Sequence, residues 1–372
     1  MTDSFPPPNA SPRWRIVHSE ASLGWGGQEH RTFTELIGLQ KRGHAVTLIA
    51  PPHSVILQRA KDAGISVYPF IFNRLTLPFD IVRLGIWLKS QGIQVLNTHS
   101  SKDGWLLGLA GRLARIPLII RTRHIDVDYP SPRISRIVYG ILADHVLTTS
   151  DKITTHLQSL FGFPDDQITT LPTGIDLEKF TPHGERADLG KGPLIGMVSV
   201  LRSWKGHTDF IKAAALLKAS GFQARFVIVG GGQKPTWIET EITTQGVTDI
   251  VTLAGHREDV PAVLRALDVL AIPSTRHEGI PQIGLQALAT QTAIVGSNVG
   301  GIPEIVQDGK TGRIFPTGDP EKFAAAIHSV FSEPEKTKQL KEAGRALVEE
   351  KHSVEHMLDQ LEHLYSRYLV GK

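Results

Sequence analysis

Apolar residues follow two alternating rhythms along this chain. Short β-branched runs predict strands at Trp14–His18, Ala45–Ala50, Ile65–Phe70, Ile93–Thr98, Leu118–Thr122 and His145–Thr149. Between them apolar positions recur at helical spacing. The stretch after Gly26–Gly27 carries Phe33, Leu36 and Ile37 on one face and stops at Gly43. Strands that alternate with helices predict crossover units and a parallel sheet.

The rhythm breaks over Thr181 to Pro193, a polar, glycine-bearing stretch that reads as a linker. It resumes with Leu194–Val200, fully apolar as in a sheet covered on both faces. Strands at Phe226–Val229, Ile250–Leu253, Val269–Ile272 and Ala293–Val295 follow, and from Glu321 onward the pattern is helical. The last segment, Val354–Leu369, spaces Met357, Leu358, Leu361, Leu364 and Tyr365 to pack back on the first unit. The expected fold class is α/β, with two doubly wound, Rossmann-like domains facing across a cleft. The expected division is a flexible tail over 1–12, a first domain over 13–188, a second over 189–352 and a returning helix over 353–372. A length of 372 residues suits two such domains.

Composition narrows the function classes. The chain has no cysteine, which excludes disulfide scaffolds, thiolate zinc sites and cysteine nucleophiles and fits a reducing compartment. No apolar run is long enough to span a bilayer, and the polar, proline-rich start is no signal peptide, so the expected location is the cytoplasm. The net charge of +3 is uneven: residues 1–125 hold 15 Lys and Arg against 7 Asp and Glu, whereas residues 191–372 hold 20 against 20. A basic first half suits an anionic partner, such as a membrane surface or a phosphorylated substrate; nucleic acid is not expected.

In open α/β sheets ligands bind beyond the carboxyl ends of the strands, so the loops after each strand are where chemistry is sought. Gly24-Trp25-Gly26-Gly27-Gln28-Glu29 lets a ligand approach the backbone at a helix start, but lacks both the dinucleotide and the Walker spacing. Read by itself it is equally a plain tight turn. His18, His99 and His124 each follow a strand of the first unit and would converge on one rim. Arg202-Ser203-Trp204-Lys205-Gly206-His207 places two cations at a helix start, suited to a diphosphate. The strand at Val269–Ile272 runs into Pro273-Ser274-Thr275-Arg276-His277-Glu278-Gly279-Ile280-Pro281, with Pro281 expected at the first helical position and Gln286 about 7.5 Å further along the helix axis. A carboxylate, free helix amides and an amide side chain along one edge suit a hexose, a diphosphate and a ribose laid end to end.

In this combination and order the chain resembles the retaining glycosyltransferases of family 4, with the two-domain GT-B fold, from about Trp14 to about Leu369. The residues that carry the resemblance are Glu278-Gly279-Ile280-Pro281, Gln286 and Gly300-Gly301-Ile302-Pro303-Glu304. Gly26-Gly27-Gln28-Glu29, His124, Pro172-Thr173-Gly174-Ile175-Asp176, Lys205-Gly206, Gly230-Gly231-Gly232, Asp268 and Pro273-Ser274 support it. The resemblance implies that Lys205 holds the donor diphosphate, Glu278 binds the donor sugar and His124 contacts that sugar from the first domain. It also implies that amides of Ile280, Gln282 and Ile283 meet the distal phosphate beside Gly279 and Pro281, with Ser274, Gly230 and Gly231 in the donor pocket. His256 and Arg257 would lie by the nucleobase, and Gly26, Gly27 and His99 on the acceptor side. Two positions depart from the family: Val200 stands where an Arg is common, with Arg202 nearby, and Gln286 stands for a Glu. An amide accepts from a ribose hydroxyl less strongly than a carboxylate.

The implied function is transfer of a sugar from a nucleoside-diphosphate donor, with retention, to a glycan or lipid-linked acceptor in cell-surface polysaccharide or lipopolysaccharide synthesis. No metal or cofactor is expected. Asp126-Val127-Asp128 has the form of a metal-binding pair from another glycosyltransferase architecture, but that architecture has a single nucleotide-binding domain. The alternatives are an epimerase or phosphorylase on the same fold, or a degenerate nucleotide-sugar-binding subunit. An inner-membrane, peripheral setting is a further expectation.

Overall fold

A computed structural model describes residues 14–73, 76–126, 129, 131–231, 236–276 and 278–370. The expected tail over 1–12, and Asp128, Gly232 and His277, lie outside the described residues. Seven strands form the first sheet: β1 (Arg15–Ser19), β2 (Ala45–Ala50), β3 (Ser66–Pro69), β4 (Val95–Thr98), β5 (Leu118–Arg123), β6 (His145–Thr148) and β7 (Ile168–Thr170). Six form the second: β8 (Leu194–Val198), β9 (Arg225–Val229), β10 (Val251–Gly255), β11 (Val269–Ile272), β12 (Ala293–Ser297) and β13 (Arg313–Phe315).

Every pairing is parallel, in the orders β3-β2-β1-β4-β5-β6-β7 and β10-β9-β8-β11-β12-β13. Both sheets are thus doubly wound, and the strand order reverses between β1 and β4 and between β8 and β11. The sequence pattern predicts neither β7 nor β13. Each is three residues long and ends its sheet, too short for an alternating or continuous apolar signal.

Side-chain alternation splits the first sheet's core in two. Val95, Leu118 and Ile120 face the helices Gly27–Lys41 and Val55–Asp62. Val17, Leu96 and Ile119 face the helices Leu77–Ser90 and Ser101–Ala114. The last helix, Val354–Leu369, joins the first of these layers: Met357, Leu358, Leu361, Leu364 and Tyr365 are all buried there. Gly38 makes room for it, since a Cβ there would sit 2.4 Å from Leu358 Cδ1. At its edge Arg42 pairs with Asp359 at 2.7 Å and Glu362 at 2.6 Å. The chain crosses between the two units at Ile175 and again at Ser353, and these crossings bond to each other: Ile175 N–H to His352 O at 2.7 Å and Val354 N–H to Ile175 O at 3.1 Å.

Leu361 is fully buried between the returning helix and the first sheet. Leu361→Ala should cost about 2–5 kcal/mol of folding free energy, read as a lower urea midpoint, with ligand binding by the second unit unchanged.

Candidate active site

The strand reversal in the second sheet makes β8 and β11 neighbours, and the loops that leave them meet. A short 3-10 turn, Ser203–Lys205, follows β8, and Gly206 then turns left-handed at φ +81° to start the helix His207–Ala219. A Cβ at Gly206 would lie 1.8 Å from Pro273 O, so only glycine lets the two loops approach this closely. The approach brings the Lys205 ammonium onto Glu278 Oε1 as an ion pair. The same carboxylate oxygen accepts from Ser274 Oγ at 2.6 Å, and Ser297 Oγ in turn donates to Ser274 O at 2.6 Å. Glu278 and Ser274 are buried, and Lys205 is 22% exposed. Gly300, left-handed at φ +59°, closes against the Glu278 carbonyl, where a Cβ would stand 2.1 Å away.

The helix Gln282–Ala289 begins next to this pair. Pro281 is not its first helical residue, as the sequence pattern predicts, but its cap, with an extended ψ of 120°. The ring fixes φ one residue earlier and leaves the amides of Gln282 and Ile283 as the first helical donors. Gln286 lies half-buried on this helix, and its side chain makes no hydrogen bond to the described residues. Gly230 and Gly231 follow β9; a Cβ on Gly230 would stand 1.8 Å from Ser199 O and one on Gly231 3.2 Å from the His256 side chain. His256 is thus beside the glycines, whereas Arg257 is occupied by Asp259. Arg202 stands apart from the Lys205–Glu278 pair, exposed and 5.1 Å over the Trp204 ring.

The first sheet faces this edge. Gln282 Nε2 donates to Gly27 O at 2.5 Å, and a Cβ on Gly279 would lie 2.8 Å from His124 O. Gly26 caps the helix from Gly27, its N–H bonding Glu29 Oε2 at 2.8 Å. Glu304, part of the motif but assigned no role from sequence, spans the cleft, accepting from the N–H groups of Asp151 at 3.1 Å and Lys152 at 3.2 Å. A carboxylate at the start of helix Asp151–Phe161 is favoured by the free amides and the helix dipole.

The three histidines do converge. His18 Nδ1 lies 2.9 Å from His99 Nε2, and His99 Nδ1 lies 2.9 Å from His124 Nε2. Burial is the main cause that holds all three below their ordinary pKa, with Arg31 and, at His124, Arg121 and Arg123 adding repulsion. They are therefore neutral imidazoles at pH 7, each with one N–H. His18 Nε2 is buried without a partner. A bare lone pair there is less costly than a stranded N–H, which puts the His18 and His99 protons on Nδ1. His124 then accepts at Nε2 and carries its own proton on Nδ1, which has no partner among the described residues and is not sealed from water. The chain thus gives His124 one outward, uncharged donor.

The donor atoms of His18, Glu35 and His99 fall within 4.8 Å of one another, the spacing of a metal cluster. One oxygen of Glu35 is held by Arg31 at 2.7 Å, which sets a buried cation beside the group, and the two imidazoles bond each other, whereas Glu35 Oε2 and His18 Nε2 are buried without a hydrogen-bond partner. Asp126 is paired to His156 at 2.6 Å.

Two buried carboxylates of the first unit escape sequence reasoning. Asp103 bonds Ser19 Oγ at 2.7 Å and the His99 N–H at 3.0 Å, and its Ser100-x-x-Asp103 capping-box spacing was the available signal. Glu20 accepts from Gln28 Nε2 at 2.5 Å and from the Ser22 N–H at 2.9 Å, which braces the glycine turn. Burial, then Asp103, push its carboxyl up to about 8. Nothing local in the sequence marks Glu20, because its burial is a product of the sheet topology.

Residues 25–179 match the model described as Glycosyltransferase Family 4, and residues 183–347 the model Glycosyl transferases group 1. The UDP-Gal:alpha-D-GlcNAc-diphosphoundecaprenol alpha-1,3-galactosyltransferase of Escherichia coli is 28% identical, over 77% of this chain and 78% of its own. A GDP-mannose-dependent alpha-(1-6)-phosphatidylinositol monomannoside mannosyltransferase of Mycolicibacterium smegmatis is 26% identical, over 83% and 87%. Among solved structures, a glycosyltransferase from Rickettsia africae has a TM-score of 0.88 at 19% identity, over 97% of this chain and all of its own. Anabaena HepE, in complex with UDP and glucose, has a TM-score of 0.80 at 18% identity, over 95% and 100%. At these identities the structures speak to the fold.

The titrating groups contribute slopes of opposite sign to the pH dependence of stability. A folded-state pKa raised at Glu20 keeps a proton that the unfolded chain loses, so stability falls as pH rises from about 4.5 to about 8. Depressed histidines act the other way, and their stability is lost as pH falls through 6.5. Glu20→Gln should therefore remove the fall between about pH 4.5 and 8, raise stability at pH 8 by on the order of 1–3 kcal/mol as read from the urea midpoint, and leave stability below about pH 4.5 unchanged. Parallel curves for both proteins would show that Glu20 is ionised in the fold.

Proposed function

Because the chain belongs to the family 4 glycosyltransferases, with the GT-B fold, we propose that it transfers a sugar from a nucleoside diphosphate to a glycan or lipid-linked acceptor with retention of configuration. The observation that carries this reading is the Lys205–Glu278 pair at the strand reversal of the second sheet, beside the free amides of Gln282 and Ile283 and across from His124. A diphosphate needs a cation and oriented N–H groups, and a hexose needs a carboxylate for its hydroxyls; here both lie within one loop's reach.

The donor's distal phosphate takes Lys205 and the helix amides, and Glu278 turns to the sugar hydroxyls. His124, neutral and with its proton on Nδ1, donates to a sugar oxygen without competing for the phosphate. The bond from the anomeric carbon to the distal phosphate oxygen breaks and its electron pair stays on the phosphate. Lys205 and the amides stabilise that charge in a water-poor site, so that no metal is required. The acceptor oxygen bonds the anomeric carbon from the same face, and its proton passes to the departing phosphate oxygen. Retention follows from this same-face attack. Gln286 is the ribose partner, a weaker acceptor than a carboxylate.

A lipid-linked acceptor is favoured by the relatives, two of which carry a diphosphoundecaprenol or phosphatidylinositol acceptor in their names. UDP in the HepE complex makes uridine donors the first to test. A cell-surface polysaccharide pathway in the cytoplasm, on the inner face of the membrane, is the setting that fits such an acceptor.

A thermal-shift screen of nucleotide sugars tests the reading, since a ligand at 100 times its dissociation constant stabilises by roughly 2.7 kcal/mol. The stabilising donor is then assayed for transfer, with the anomer of the product read by NMR. Lys205→Ala should lower turnover about 10²–10³-fold, the effect of one donor to developing charge, and EDTA should leave the wild-type rate unchanged. Binding without turnover would favour a degenerate binding subunit, and an inverted product would overturn the same-face mechanism.

A further inference from the structure

The outer side of the first sheet is covered by three adjacent elements: the helices Leu77–Ser90 and Ser101–Ala114, and the short helix Pro132–Arg136 that runs into the π-helical turn Ile137–Ile141. They form one continuous surface. A Cβ on Gly85 would touch Leu113 Cδ2 at 3.0 Å, and Arg112 Nε donates to Ile141 O at 2.9 Å.

Besides the side chains they bury, these elements hold large apolar side chains in solvent. Phe79, Val82 and Ile86 stand at i, i+3 and i+7 on the first helix, with Phe79 69% exposed and Ile86 65%. Leu113 extends the stripe on the second. Ile134, Ile137 and Ile141 repeat the same spacing on the third, with Ile141 63% exposed. Scattered exposed apolar residues are ordinary, but large side chains aligned on neighbouring helices mark an interaction surface.

The charge between the stripes has one sign. Lys89, Lys102, Arg133 and Arg136 are exposed and have no acidic partner among the described residues. The only carboxylates on these helices, Asp80 and Asp103, are buried. Asp80 is bonded by Thr76 and Arg83, and Asp103 by Ser19, Ser100 and the amides of its cap. A second copy of this face would oppose cation to cation, and the core of a protein interface is depleted of charge. Apolar side chains set among unpaired Lys and Arg instead match the boundary between acyl chains and anionic headgroups. None of the described helices is long and apolar enough to cross a membrane.

We propose that this three-helix face is a docking surface that seats on an anionic lipid bilayer. Phe79, Val82, Ile86, Leu113 and Ile141 enter the acyl boundary, while Lys89, Lys102, Arg133 and Arg136 meet lipid phosphates. The helix Ser101–Ala114 starts two residues after His99, and the Pro132 segment follows the strand Leu118–Arg123, which His124 succeeds, so one end of the docked face lies by the acceptor rim of the cleft, with Leu113 about 18 Å further along the helix. The purpose of docking rests on the lipid-linked acceptor reading; the binding itself rests on this surface alone.

The test is flotation of the full chain with vesicles of phosphatidylcholine alone or mixed with phosphatidylglycerol, in low and high salt. Two variants are compared, F79S/I86S/I141S and R133Q/R136Q. Their fold is checked by the nucleotide-induced thermal shift, and transfer to a water-soluble acceptor is followed separately, so that loss of docking and loss of activity are told apart. The wild type should float with the anionic vesicles in low salt and not with phosphatidylcholine alone. The apolar variant should bind at least about tenfold more weakly, and the arginine variant about fivefold more weakly per charge removed. Failure to float in low salt, equal flotation on neutral vesicles, or unchanged binding by the apolar variant would overturn the proposal. So would a wild-type dimer that the apolar variant abolishes, which would give the face to a second copy.

Discussion

The Lys205 ammonium and the Glu278 carboxylate touch because β8 and β11 are neighbours where the strand order of the second sheet reverses. The rest of the site is built around holding them there. Gly206 permits the loop to pass against Pro273, Ser274 and Ser297 fix the carboxylate from beneath, and Gly300 lets the next loop close over the Glu278 carbonyl. A part-buried pair of this kind adds little to net stability, but loss of one member strands the other. Its value here is preorganisation. In the proposed function, two groups of opposite charge wait in place, each satisfied by the other, for a ligand that would offer a phosphate to one and hydroxyls to the other.

The second constraint is the contact across the cleft. Gln282 reaches Gly27, Gly279 lies under the His124 carbonyl, and Glu304 caps a helix of the opposite unit. Gly279 and Gln282 belong to the loop that carries Glu278 and the helix that follows it, and Glu304 to the short helix Ile302–Ile305 beyond Gly300, so the machinery that would hold a donor also sets the position of the first sheet. The histidine chain continues inward from that contact. It ties the outward proton of His124 to the tautomers of His99 and His18, buried at the ends of β4 and β1.

Much of this was legible in the sequence, for identifiable reasons. The apolar rhythm shows eleven of the strands because each is long enough to carry a pattern; β7 and β13, three residues each at sheet ends, are not. The loops after β8 and β11 stand out through glycines and charges that an ordinary turn does not need. Topology hides the rest. Glu20 looks like any loop carboxylate until the fold buries it beside Asp103. Arg202 looks like a second phosphate ligand, yet it lies over Trp204, because the turn that aims Lys205 inward aims its neighbour three residues earlier outward. The exposed stripes on Phe79 to Ile86 and on Ile134 to Ile141 read in sequence as ordinary helix faces, and only burial separates the face in the core from the one in solvent.

The central claim is that Lys205 and Glu278 hold each other ready for a donor. Calorimetry of a nucleoside diphosphate against the wild type and Glu278→Gln tests it most directly, since this ligand has the phosphates but not the sugar. If Glu278 holds Lys205 in the unliganded protein, the amide variant frees the cation and should bind the nucleoside diphosphate several-fold to about tenfold more tightly, up to ~1.4 kcal/mol, while transfer from the nucleotide sugar collapses. Weaker or unchanged binding by the variant would contradict the account, because it would mean that the diphosphate is held elsewhere.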